Sequence, residues 1–345
     1  MSHRSKILVL YTGGTIGMVR DYKQGTLKPF NFDQLQKNIP ELFQLDSEIV
    51  TYAFENPIDS SNMNPKYWDE IARTIQQNYL DFDGFVVLHG SDTMSYTASA
   101  LSFMLEHLAK PVILTGSQLP VGDLRTDAKE NLIAAIQIAA LQKNGLPIIQ
   151  EVCLYFEYKL YRGNRATKVN TEHFQAFRSP NHPVLIESGV QLKINTPYLK
   201  PKVAVSKTLV VHQVQAAGVG LLKIFPGITP AFVEAVLSTK GLQVMILETF
   251  GAGNMPTAPW LSTLLENTIA QGIYLINITQ CVGGGVLMGR YKTSAHLAKM
   301  GVLDGGDLTT EAAITKAMYL LGKGLEDSTF KSNFERALRG EMNQN

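Results

Sequence analysis

The chain has 345 residues, a formal net charge of +1 and 18% charged residues. That length accommodates two domains with full cores, and the near-neutral charge gives neither nucleic acid nor an anionic membrane an electrostatic footprint. Cys153 and Cys281 lie far apart without the spacing of a metal site, and suit a reducing compartment as buried free thiols. No apolar run approaches the roughly 18 residues of a membrane span. The first residues lack a signal h-region and cleavage site, so the expectation is a soluble cytoplasmic protein.

Residues Lys6–Tyr11 form an apolar, β-favouring run, broken at once by Thr12-Gly13-Gly14-Thr15-Ile16-Gly17. A strand apolar on both faces belongs inside a parallel sheet, and ligands bind beyond the carboxyl ends of such strands. The polar stretch Arg20–Pro29, holding Tyr22, reads as a lid or a plain surface loop. A helix is predicted at Phe32–Phe43, a strand at Glu48–Phe54, then the loop Asp59-Ser60-Ser61 and a helix over Pro65–Tyr79.

Next come a buried strand, Phe85–His89, the loop Gly90-Ser91-Asp92-Thr93 and a helix reaching Leu108. The strand Pro111–Thr115, the loop Gly116-Ser117-Gln118 and a helix over Asp127–Lys143 complete the alternation. This pattern predicts a doubly wound, mostly parallel sheet. Strand Val152–Phe156 leads into the basic turn Tyr161–Lys168.

A Pro-containing connection over residues 195–207 separates a larger domain, 1–194, from a smaller α/β domain, 208–345. In the smaller domain, strands are predicted at Leu209–Val214, Gly220–Phe225, Gln243–Phe250 and Ile273–Ile278. Helices follow near Pro230–Ser238, Pro259–Gln271, Ser294–Met300 and Thr309–Leu321.

Four loops after strands carry paired small hydroxyls or a carboxylate: Thr12/Thr15, Ser60/Ser61, Ser91/Asp92 and Thr115/Ser117. Helix capping explains any one of them, and Asp92 reads equally as an N-cap. Capping needs one such group per helix, and here they come in pairs. A hydroxyl nucleophile needs a proton acceptor and a group that orients it. His89 follows an apolar strand and reads as a satisfied core histidine, which leaves carboxylates, tyrosines and lysines as bases. Lys168, in a Gly/Asn turn after a strand, is one candidate, with a solvated charge beside Arg162 and Arg165 as its plain alternative. Neither GxGxxG nor GxxxxGK[ST] occurs, so no cofactor and no metal are expected.

Tyr11-Thr12-Gly13-Gly14-Thr15-Ile16-Gly17-Met18 and His89-Gly90-Ser91-Asp92-Thr93-Met94 resemble the two signature motifs of the bacterial-type L-asparaginases. Thr115–Gln118, Arg162–Lys168 and Asn277–Cys281 resemble further segments of that family. The likeness spans nearly the whole chain and is greatest to the cytoplasmic type I branch. It implies an L-asparagine amidohydrolase without cofactor, a homodimer or homotetramer. Thr15 would be the nucleophile, with Ser91, Asp92 and Lys168 as a second catalytic set. Asp92 and Ser91 would also contact substrate, the Asp59-Ser60-Ser61 loop would hold its α-carboxylate, and the Ser117 main chain would meet its amide.

The resemblance also implies an effector site at Thr167 and Cys281. Three positions depart from the family pattern. Ser91 replaces a threonine, the lid offers Tyr22 where a strict count reaches Thr26, and Glu248 falls where a basic effector-site residue is expected. A mixed glutaminase–asparaginase, a tRNA-linked amidotransferase subunit and a non-catalytic amino-acid sensor are the competing readings.

Overall fold

A computed structural model describes residues 4–21, 26–29, 39–204, 207–288 and 292–344. The chain divides into two units, Met1–Val211 and His212–Asn345.

In the first unit, the apolar run near the start forms strand β1, Ser5–Gly13, with Ile7, Val9 and Leu10 fully buried. Burial on both faces is what a central parallel strand requires. Met18–Asp21 (β2) and Thr26–Pro29 (β3) pair as an antiparallel hairpin, and Tyr22 lies outside the described residues. Pro40–Gln44 is a 3₁₀ turn where the end of a helix was expected. Next come β4 (Ser47–Ile58), α1 (Pro65–Gln77), β5 (Gly84–Leu88), α2 (Met94–Met104) and β6 (Leu105–Glu106). Strand β7 (Val112–Thr115) and helix α3 (Ala128–Ala139) follow.

The helix expected to reach Lys143 stops at Ala139. Beyond it lies a hairpin of β8 (Gln142–Lys143) and β9 (Leu146–Pro147). Its two loop residues, Asn144 and Gly145, have φ of 55° and 73°. Asn-Gly adopts this two-residue turn at least cost.

The unit continues with β10 (Val152–Phe156), β11 (Lys159–Arg162), β12 (Thr167–Lys168), β13 (Phe177–Arg178), β14 (Ile186–Ser188), β15 (Leu192–Ile194) and β16 (Val210–Val211). The main sheet has 8 strands in the order β15-β14-β11-β10-β7-β5-β1-β4. Pairing is parallel from β4 through β10 and antiparallel across β11, β14 and β15.

The strand expected at Leu209–Val214 is reduced to β16, which pairs with β6 inside the first unit. Part of the expected connection is bonded to the same unit. Arg162 Nη2 donates to the Tyr198 carbonyl at 2.8 Å, Lys200 N to Glu151 Oε1 at 3.0 Å and Val203 N to Gln150 Oε1 at 2.8 Å. Glu151 also takes Arg162 Nε at 2.7 Å, a buried ion pair under this segment.

The second unit alternates β17 (Val219–Lys223), α4 (Pro230–Leu237), β18 (Val244–Thr249), α5 (Pro259–Ala270), β19 (Tyr274–Thr279), α6 (Lys292–Met300) and β20 (Leu303–Asp304). Two helices finish it, α7 (Thr310–Gly322) and α8 (Asp327–Phe334). The 4 strands are all parallel in the order β17-β18-β19-β20. Leu247, Leu275, Val233 and Leu261 form part of its core.

A fully buried ion pair, Lys316 Nζ to Glu341 Oε1 at 2.6 Å, ties α7 to the chain beyond α8. Burial pushes the Glu341 carboxyl up, but Lys316 and the N–H groups of Leu338 and Arg339 outweigh it and hold it below the usual range. Among the described residues no helix is long and apolar enough to cross a membrane.

Candidate active site

The carboxyl ends of β1, β5 and β7 and the end of β4 bring four loops together, and glycines set their separation. Gly14 has φ 87°, and a Cβ there would lie 2.4 Å from Gly90 N. A Cβ on Gly90 would lie 2.4 Å from Ser60 Oγ, one on Gly13 2.0 Å from the Ile58 carbonyl oxygen and one on Gly116 2.3 Å from the His89 carbonyl oxygen. Only residues without a side chain let these backbones approach so closely. Thr15 and Ser91 each follow one of the two glycines in mutual contact.

The paired hydroxyls have divided roles. Thr12 Oγ1 donates to the Leu88 carbonyl at 2.9 Å and Thr115 Oγ1 to that of Tyr155 at 2.9 Å, so both pin neighbouring strands. Thr15, half-buried in a 3₁₀ turn, has no hydrogen bond from its hydroxyl to another described residue. A free hydroxyl beside glycine-flanked N–H groups is chemically available.

Ser91, Asp92 and Lys168 are in contact. Lys168 Nζ donates to Ser91 Oγ at 2.8 Å and to Asp92 Oδ1 at 2.6 Å. Lys168 arrives on β12, 77 residues from Ser91 in sequence. The Asp92 side chain is 64% exposed, so it is open to a solute as well. The capping alternative for Asp92 is corrected here. Thr93 holds the N-cap position of α2 without a side-chain cap, and its hydroxyl donates to the Ser60 carbonyl at 2.7 Å.

Asp59 Oδ1 accepts from Ser61 N at 3.0 Å and from Ser61 Oγ at 2.9 Å, and these bonds hold its carboxyl below the usual range. Ser60 is buried against Gly90, whereas Asp59 and Ser61 are exposed. Ser117 is buried and its hydroxyl turns away to the Leu119 carbonyl at 2.6 Å.

The neighbouring Gln118 was overlooked as a site residue. Ser91 Oγ lies 3.3 Å from its Oε1, and Asp127 fixes its backbone N–H at 3.0 Å. Its place at the end of the family-like segment Thr115–Gln118, directly after Ser117, was its sequence signal. Burial pushes the Asp127 carboxyl up, against the pull of the N–H groups of Gln118 and Leu119.

His89 is fully buried, as its place after an apolar strand suggested. Its Nδ1 lies 2.7 Å from the Gly90 carbonyl oxygen, which only accepts, so Nδ1 carries the proton. Nε2 then accepts from Thr97 Oγ1 at 2.9 Å, and Trp68 Nε1 donates to that oxygen at 3.0 Å. Burial pushes the imidazole down to about 4, so it is neutral support for the Gly90 backbone.

Thr167 is half-buried in the first unit, with its backbone paired to Arg178. Cys281 belongs to the second unit and is exposed, where a buried thiol is expected and only Cys153 is one; its N–H donates to Thr279 Oγ1 at 3.0 Å. Glu248 is buried and engaged within its own unit: Thr310 Oγ1 donates to it at 2.6 Å and Lys223 Nζ lies 3.5 Å away. Among the described residues no three His, Cys, Asp or Glu side chains converge as a metal site requires.

Comparison with known proteins places these loops in a family. Residues 6–200 match the family model "Asparaginase, N-terminal" and residues 218–334 match the "Glutaminase/Asparaginase C-terminal domain". The chain is 43% identical over 342 residues to L-asparaginase 1 of Escherichia coli K12, covering 98% of each chain. It superposes on L-asparaginase I of Vibrio cholerae with a TM-score of 0.90 at 39% identity, covering 99% of this chain and 100% of that one. The L-asparaginase of Thermococcus kodakarensis gives 0.87 at 30% identity over 99% of this chain and 100% of that one. The chain belongs to the asparaginase family.

Proposed function

We propose that this protein hydrolyses L-asparagine to L-aspartate and ammonia through an ester on Thr15. Similarity to L-asparaginase 1 supports the activity. The observation that carries the mechanism is the contact of Lys168 Nζ with both Ser91 Oγ and Asp92 Oδ1, beside a loop whose Thr15 hydroxyl bonds to no other described residue.

In this reading Thr15 Oγ1 attacks the side-chain amide carbon and its proton passes to the leaving nitrogen. Collapse of the tetrahedral intermediate breaks the C–N bond, frees ammonia and leaves a β-aspartyl ester. Water, activated at the Ser91–Lys168–Asp92 set, then attacks the ester carbonyl, and the C–O bond to Thr15 breaks to restore the hydroxyl. Backbone N–H groups flanked by Gly13, Gly14 and Gly90 suit the oxyanion, a contribution of roughly 10²–10³ in rate per donor. Asp92, partly exposed, receives the α-ammonium, and the Asp59-Ser60-Ser61 loop the α-carboxylate. The main chain at Ser117 meets the amide.

We also propose a homodimer or homotetramer acting in the cytoplasm, with light scattering as the check on mass. The local partners of Glu248 favour a hyperbolic dependence on L-asparagine, with no effector response through Thr167 and Cys281. Hydroxylamine tests the ester. An ester intermediate transfers its acyl group to give β-aspartyl hydroxamate in competition with water, and strictly single-path hydrolysis without hydroxamate contradicts it.

A further inference from the structure

Ser91 carries one hydroxyl proton and no β-branch, so nothing in its own structure selects a rotamer or a proton direction. Its surroundings do. Gln118 Nε2 donates to the Thr171 carbonyl at 3.1 Å and to the His173 carbonyl at 3.2 Å. Both partners only accept, so the amide nitrogen must face them and Oε1 must face the other way. Oε1 lies 3.3 Å from Ser91 Oγ, and an amide oxygen can only accept, so the Ser91 proton points to Gln118. A lone pair of Ser91 then faces Lys168 Nζ at 2.8 Å. The Gln118 backbone is held in turn by both carboxylate oxygens of Asp127, at 3.1 and 3.0 Å.

We propose that Gln118 is a positioning residue: its amide, clamped by the 171–173 loop, fixes the rotamer and the proton direction of Ser91. The hydrogen bond does for serine what a β-methyl does by sterics. It also makes the Ser91–Lys168 contact run one way, with lysine as donor. The catalytic consequence rests on the proposed role of Ser91 in hydrolysis, whereas the pinning itself does not.

The test is a double-mutant cycle in the full chain with Gln118→Met, Ser91→Thr and both together, read as kcat and KM for L-asparagine. Methionine keeps the length of the side chain and removes its donors and acceptor. Losing one hydrogen bond to an uncharged group corresponds to about a 2- to 10-fold fall in kcat for Gln118→Met, with KM within about twofold. Adding Ser91→Thr restores kcat to within about twofold of wild type, because branching at Cβ removes the need for the bond. If Gln118 served only to anchor the loop, Ser91→Thr would leave the defect unchanged, and that result overturns the proposal, as does an unaffected Gln118→Met.

Crystal structures of wild type and Gln118→Met supply a readout apart from turnover. The proposal requires one Ser91 χ1 in wild type and several in the variant, and a single unchanged rotamer in both contradicts it. If wild type releases no ammonia, the hydrolytic reading fails while the rotamer comparison still decides the pinning.

Discussion

Gly14 and Gly90 touch backbone to backbone: a Cβ on Gly14 would lie 2.4 Å from Gly90 N and 2.6 Å from Gly90 Cα. That contact joins the loop after β1 to the loop after β5, one residue before Thr15 and Ser91 respectively. Gly14→Ala meets both a backbone at φ 87° and a collision with peptide atoms of Gly90 and His89, not with the end of a flexible side chain. The variant is expected to lose about 1–3 kcal/mol of stability. Its kcat/KM for L-asparagine should fall about 10²-fold, because the loops must separate by about 1 Å. Urea denaturation and ammonia release check both, and wild-type values would show that the contact is dispensable.

Lys168→Met removes the donor common to Ser91 and Asp92 while keeping most of the side-chain volume. Proton transfer by a positioned side chain contributes roughly 10²–10⁴ in rate, and kcat should fall on that scale with KM changed only a few-fold. A raised KM at unchanged kcat would assign Lys168 to binding alone.

Two histidines predict a loss of stability in acid. Burial pushes His89 down to about 4, and burial with the nearby Arg162 charge does the same to His182. Above the unfolded value of about 6.5 both states are neutral and the stability is full. As pH falls from there to about 4 the unfolded chain takes up protons that the folded chain refuses, so stability is lost through that window. Fully buried His89 accounts for about 2–4 kcal/mol of the loss. Denaturant midpoints between pH 7 and 4 should fall, and His89→Gln should flatten the slope. An equal slope in that variant would place the proton uptake elsewhere.

Glu341→Ala leaves Lys316 as an unpaired charge with no exposed side-chain surface. Breaking a buried pair from one side costs about 3–5 kcal/mol, whereas replacing both members with apolar residues is close to neutral. Urea midpoints of Glu341→Ala and of the double variant Lys316→Met/Glu341→Leu measure the difference. Equal midpoints would mean that the pair does not clamp the C-terminal segment.

Much of this was legible in the sequence. The apolar runs at Lys6–Tyr11, Phe85–Leu88 and Val152–Phe156 are strands, because burial on both faces leaves a continuous apolar signal. Tertiary choice was less visible. Apolar periodicity carried the predicted helix to Lys143, whereas the chain leaves the helix at Ala139 and Lys143 enters a hairpin that turns at Asn144-Gly145. The strand expected from Leu209 shrank to two residues because its partner is β6 and not the second sheet.

At the site, the motifs pointed to Ser91, Asp92 and Lys168, while the division of labour among hydroxyls did not show. Thr12 and Thr115 pin strands and Ser117 bonds to Leu119, all through carbonyls that no local pattern reveals. Gln118 reaches Ser91 and the 171–173 loop across 27 and 53 residues of sequence, a distance at which one chain carries no signal.

The most direct test measures ammonia release from L-asparagine and L-glutamine in parallel, with wild type and with Thr15→Ala. The expected result is strong, hyperbolic release from L-asparagine, much weaker release from L-glutamine, and no turnover in a folded Thr15→Ala. One methylene in a pocket is worth only about 1–3 kcal/mol, so comparable release from both substrates would make the protein a mixed amidohydrolase. Wild-type turnover in Thr15→Ala, or L-asparagine binding without any release by wild type, would contradict the threonine mechanism.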